Sequence, residues 1–190
     1  MWRVVAIAAL ATVLMVLAVS RAAESDEVPA EIQADLLAKL AAYDRNFVAR
    51  AGDAVRVLIV AKLDRTKSQL SAAEMKSALA NIDRIGGLPH QEIVVPYEGA
   101  DALARRCRSE RIAAIYLTPG FEDDIEQIRA SLSTVSVLSL GAVADYVPRG
   151  VVLGFELESG KPKILLNLGQ ARLQNVNFPA DLLRLMKVYR

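Results

Sequence analysis

Apolar positions Ile32, Leu36, Leu40, Tyr43 and Phe47 recur at helical spacing, while Gln33, Lys39 and Arg45 fall off that stripe, so the pattern predicts one helix ending near Gly52. Val55 to Ala61 is instead a mostly apolar, β-branched run, the pattern of a strand covered on both faces. Ser71 and Glu74 have the spacing of a capping box, which predicts a helix start, with Met75, Leu79, Ile82 and Ile85 as its buried face and Gly86-Gly87 as its end. Glu92 to Val95 reads as a short strand closed by Pro96. A helix from about Gly99 then carries Ala100, Leu103, Ala104 and Cys107 on one stripe. Ile112 to Leu117 is a third buried strand, and Glu122, Asp123 and Asp124 stand where a helix N-terminus is electropositive, ahead of Ile125, Ile128 and Leu132.

The last third continues with a strand from Val135 to Leu140 and a turn through Asp145 to Pro148. Two strands follow, Gly150 to Leu157 and Pro162 to Asn167, joined by a Ser159-Gly160 turn as an antiparallel hairpin. Pro179 to Tyr189 reads as a closing helix. Strand and helix alternate three times with short connections before the hairpin. That order predicts an α/β fold: a single three-layer αβα domain over residues 31–190, with a mostly parallel central sheet, a C-terminal antiparallel hairpin and a closing helix.

The N-terminus changes the picture of location. Met1-Trp2-Arg3, an apolar run from Val4 to Val19 broken only by Thr12, and small residues at Ala18, Ser20, Ala22 and Ala23 have the layout of a secretory signal peptide over residues 1–23. The run is shorter than the roughly 20 residues a bilayer-spanning helix needs, so export to the periplasm with no stable membrane span after cleavage is expected. Residues 24–30 then read as an exposed linker. The leader removes two of the 23 basic residues, against 22 acidic ones, and a near-neutral domain without a basic block carries no electrostatic footprint for nucleic acid. Cys107 is the only cysteine, which excludes an internal disulfide.

Candidate chemistry is sparse. His90 is the only histidine, which excludes a multi-histidine metal site, and it reads as an exposed turn residue. Cys107 reads as a buried, inert thiol. Glu156 and Glu158 share one side of a strand, opposite Lys161 and Lys163 across the hairpin, as ordinary cross-strand pairs. Arg105, Arg106 and Arg108 read as a solvated helix face that could also hold an anion. No Walker-type or dinucleotide-binding loop is present, and no catalytic residue, metal or cofactor is assigned. Asn167 ends the last strand where it can cap the next helix or meet a ligand. Tyr146 and Arg149, flanking Val147-Pro148 in a loop between strands, are the better interaction candidates, since aromatic and arginine residues dominate binding hot spots. Asp145, Tyr146, Arg149 and Asn167 together make the expected partner surface.

The last third also resembles the YfiR/HmsC family of small periplasmic proteins. The resemblance rests on Val137-Leu138-Ser139, Asp145, the run from Gly150 to Phe155, Gly160 to Ile164, Asn167-Leu168, Ala171-Arg172 and Leu182 to Leu185. It implies a non-enzymatic periplasmic regulator that binds the sensor domain of a membrane diguanylate cyclase and holds it inactive, lowering cyclic di-GMP and biofilm formation. The family's cysteine pairs are missing here, so its redox sensing does not carry over. A homodimer is left open, and the alternative is a single-lobe periplasmic small-molecule-binding protein akin to the solute-binding components of transporters.

Overall fold

The computed structural model describes residues 27–190; the expected leader lies outside them. Strand β1 (Val55–Ala61) is buried at every position except Arg56, as its unbroken β-branched run requires. Around it stand β2 (His90–Pro96), β3 (Ala114–Leu117), β4 (Leu138–Gly141), β5 (Leu153–Glu158), β6 (Lys161–Asn167) and β7 (Lys187–Tyr189). They form one seven-stranded sheet in the order β2-β1-β3-β4-β5-β6-β7. The first five are parallel, β6 returns antiparallel to β5, and β7 runs parallel to β6. The sheet is therefore doubly wound, with its reversal of strand order between β1 and β3.

Side-chain alternation sorts the core into two layers. Val57, Ile59, Ala114, Tyr116, Leu140 and Phe155 face α1 (Ala30–Ala41) and α3 (Thr66–Ala80). Leu58, Val60, Ile115 and Leu117 face α4 (Ala100–Ser109), α5 (Ile125–Leu132) and the short α6 (Tyr146–Arg149). The β5–β6 hairpin closes through Ser159 and Gly160, both at positive φ, the geometry of a two-residue turn.

The N-terminal helix differs from its expected form. It breaks after Ala41 and resumes as α2 (Phe47–Ala51) because Asp44 turns inward: its Oδ1 accepts from the N–H groups of Asn46 and Asn177, and its Oδ2 pairs with Arg50 at 2.9 Å. The stripe also slips. Ala34, Leu37, Leu40 and Ala41 are buried, whereas Ile32 and Tyr43 are exposed. Small alanines let α1 lie close to its neighbours, and Gln33 turns inward to donate to the Val28 carbonyl at 2.7 Å. Val28 thereby enters the core, so the end of the expected linker is docked.

Ser71 and Glu74 are not a capping box, because α3 begins five residues earlier at Thr66. There the Ser68 hydroxyl accepts the Lys62 N–H, steadying the helix entry from within the first turn. The helix ends at Asn81, and Gly86 serves a close approach instead: a Cβ there would lie 2.8 Å from the Phe47 ring. The closing helix is a single turn, α8 (Ala180–Leu183), after which the chain becomes β7 and covers the open edge of β6. His90 is not an exposed turn residue: its ring is buried at the start of β2, with Nε2 2.7 Å from the Ile82 carbonyl. Cys107 is buried, and burial pushes its thiol up to about 12. Lys163 and Lys161 do stand opposite Glu156 and Glu158 in the hairpin, although the Glu156 carboxylate pairs with Lys187 of β7 at 3.0 Å.

Candidate functional site

The carboxyl ends of β1, β3 and β4, with the loops leaving them, form the edge where α/β sheets place their crevices. After β3 the chain passes through Thr118, Pro119 and Gly120, which takes φ +106. Thr118 donates to the Val60 carbonyl at 2.9 Å, so its short 2.6 Å contact with Ser68 has Ser68 as donor. The chain of bonds locks the β1 and β3 ends together across the reversal point. Beside it Lys62 pairs with Asp124 and lies over the Phe121 ring, and Phe121 meets Tyr97 edge-on at 5.0 Å. Burial, then the neighbouring Asp124, pushes the Tyr97 hydroxyl up to about 12.

The segment expected as an exposed loop is the helical turn α6, and it is packed inward. Tyr146 is fully buried, so its ring is not available to a partner. Its hydroxyl accepts from the Gly120 and Phe121 N–H groups at 2.9 and 2.8 Å and donates to the Glu122 carboxylate at 3.1 Å. Burial raises the Tyr146 pKa further than those N–H donors lower it. Burial also opposes the charge on Glu122, but hydrogen bonds from its own N–H, from Tyr146 and from the Gly120 N–H prevail, with help from Arg65, and hold its carboxyl below the ordinary value.

Arg149 is half-exposed; it donates to the Glu122 carbonyl at 2.6 Å and lies 3.7 Å from Glu126. Asp145 is exposed at the start of α6. Asn167 does cap α7 (Leu168–Leu173): its Oδ1 accepts the Gln170 N–H, while its Nδ2 donates to the Val147 carbonyl, each at 2.9 Å. The structure thus brings Asn167 and α6 together. It makes Asn167 and Tyr146 the residues that hold the turn, while Asp145 and Arg149 are presented.

Sequence reasoning missed how tightly α6 is seated. A Cβ on Gly154 would lie 2.5 Å from Val147, one on Gly141 3.0 Å from Tyr146, and one on Gly150 2.4 Å from Arg129. Three glycines bracketing one short segment were the available signal. Glu122, Asp123 and Glu126 are exposed on the adjoining loop and helix, with Arg129 against Gly150 and Arg65 beside Glu122, so Arg149 sits among charges of both signs.

Residues 30–187 match a family model described as YfiR/HmsC-like. No curated protein matches the sequence. Among solved structures, a conserved domain protein from Vibrio cholerae superposes with a TM-score of 0.58 at 13% identity, over 85% of this chain and 60% of that one. The ABC domain from Streptococcus pneumonia, solved in complex with L-Trp, gives 0.53 at 10% identity, over 79% of this chain and 62% of the other. The chain spans about three fifths of the length of both, and the likeness is one of fold.

Proposed function

This chain belongs to the YfiR/HmsC-like family, a family of periplasmic regulators in cyclic di-GMP signalling, and from that premise we propose that it is itself a non-enzymatic periplasmic regulator that binds and inhibits a membrane diguanylate cyclase through the cyclase's periplasmic sensor domain. The observation that carries this reading is the family match, which runs through essentially the whole described domain. The contact surface is the outer side of α6, where Asp145 and Arg149 project beside Glu122 and Glu126. Tyr146 and Asn167 contribute by fixing that turn from below.

The test has two arms. Loss of the chain raises cellular cyclic di-GMP, and purified protein lowers the activity of the cyclase reconstituted in vesicles. Asp145→Ala and Arg149→Ala weaken binding by about 1–2 kcal/mol each while leaving the thermal transition nearly unchanged. Unaltered cyclic di-GMP in the deletion, with no effect on the reconstituted cyclase, overturns the reading; wild-type affinity in both variants moves the interface elsewhere.

A further inference from the structure

At the opposite, amino-terminal edge of the sheet, α2, the end of α4 and the chain before β4 enclose a cleft of about 380 Å³. Three arginines line it, Arg50, Arg108 and Arg111, and no carboxylate does. They are not equivalent. Arg50 is buried and neutralised by Asp44, with its remaining nitrogens donating to Ser136 Oγ and the Asn175 carbonyl. Arg108 and Arg111 are exposed, and among the described residues neither has a carboxylate within ion-pair distance; Glu110, the nearest in sequence, is engaged by Arg106 at 2.9 Å. Two uncompensated guanidinium groups therefore share one concavity.

The rest of the wall suits an anion. Ser136 Oγ accepts from Arg50 Nε and Asn175 Nδ2, both at 3.3 Å, which leaves its own proton free to donate. Three carbonyls at the end of α4 already have partners: Cys107 takes the Ile112 N–H, Arg106 the Glu110 N–H, and Glu110 an Arg56 nitrogen. Cys107, Ile112 and Val135 supply an apolar floor. The volume lies within the range of roughly 300–1,000 Å³ typical of small-molecule sites and exceeds what a bare ion fills.

Two helix ends contribute to this wall. Among the described residues only Arg111, Ser159 and Asn175 are non-glycine residues at positive φ. Ser159 is the hairpin turn, and the other two both line the cleft, at φ 51 and 56. Both are left-handed helix ends: the Ile112 N–H reaches the Cys107 carbonyl around Arg111, and the Val176 N–H the Ala171 carbonyl around Asn175.

We propose that this cleft binds a small organic anion, a carboxylate or phosphate ester, with the acidic group held between Arg108 and Arg111 and the organic body against the apolar floor. The site is remote from α6 and does not depend on the regulator reading. Isothermal calorimetry of the purified protein with inorganic phosphate, and separately with citrate, at ionic strength fixed by chloride, tests it. Saturable binding of at least one of these below about 10 mM is expected, weakened about tenfold by Arg108→Gln or Arg111→Gln and unchanged by Arg105→Gln, which lies outside the cleft. Arg108 is on an exposed helix surface, so its variant keeps the wild-type thermal transition in chloride and isolates the binding loss. Binding of phosphate alone assigns a phosphate ester, binding of citrate alone a carboxylate, and binding of both the shared oxyanion chemistry. Failure of both anions to saturate, or an equal loss in Arg105→Gln and Arg108→Gln, overturns the proposal.

Discussion

Tyr146 shows how one hydroxyl can organise a surface without being part of it. It satisfies two backbone N–H groups of the β3–α5 loop and donates to Glu122, so it ties the loop to α6. Tyr146→Phe keeps the ring but orphans the Phe121 N–H in a buried position, and a loss of about 1–3 kcal/mol is expected in urea denaturation, without the cavity that Tyr146→Ala would add. Glu122 gives the same cluster a pH signature. Folding lowers its pKa, so the stability it contributes is complete above the unfolded value of about 4.3 and is lost as pH falls through the folded value. Glu122→Gln should therefore flatten the stability profile on the acid side of about pH 4.3 and leave it parallel to wild type at neutral pH, which denaturation midpoints across that range measure. None of this was legible from residues 145–149 as a string. A tyrosine and an arginine around Val147-Pro148 have the composition of an exposed hot spot, and only tertiary packing against Gly141 and Gly154 turns the tyrosine inward.

Among the elements, strands were the most legible and helix ends the least. A strand buried on both faces must be continuously apolar, so β1, β3 and the β5–β6 hairpin declare themselves, and the parallel order follows from the helices between them. Helix boundaries depend on partners far away in the chain. The break between α1 and α2 is imposed by Asp44, whose acceptors are met by Asn46, Arg50 and Asn177, the last of them 133 residues away. No local pattern reports such a partner. Replacing Asp44 by Ala leaves Arg50 charged and buried, and a loss of about 3–5 kcal/mol is expected by chemical denaturation. The double variant Asp44→Ala with Arg50→Met should recover part of that loss, because the buried charge goes with its partner.

For the whole molecule, the sheet has one edge at β2 and the other at β7, which is only three residues long. A short terminal strand limits edge-to-edge pairing between copies. A chain ending at Met186 loses β7 and bares the hydrogen-bonding groups of β6 at Leu165 to Asn167. Concentration-dependent association is expected for that truncation and measurable by light scattering, with wild type unchanged over the same range.

The polar contact of residues 44–46 with 175–177 has a consequence for the order of folding. Every strand up to β6 pairs with a neighbour after one connection or with the next but one, so most of the sheet assembles through moderate loops. The Asn46–Asn175 and Asp44–Asn177 bonds instead close a ring of 129 and 133 residues. Ring-closure entropy grows only as the logarithm of length, about 0.6 kcal/mol per doubling, so this closure costs little more than one half as long, but it must wait until both ends exist. The ring is therefore expected to open more readily than the central strands. In native-state hydrogen exchange the amides of Asn46 and Asn177 should exchange through an opening of lower free energy than those of β1 and β3, as a separate cooperative unit.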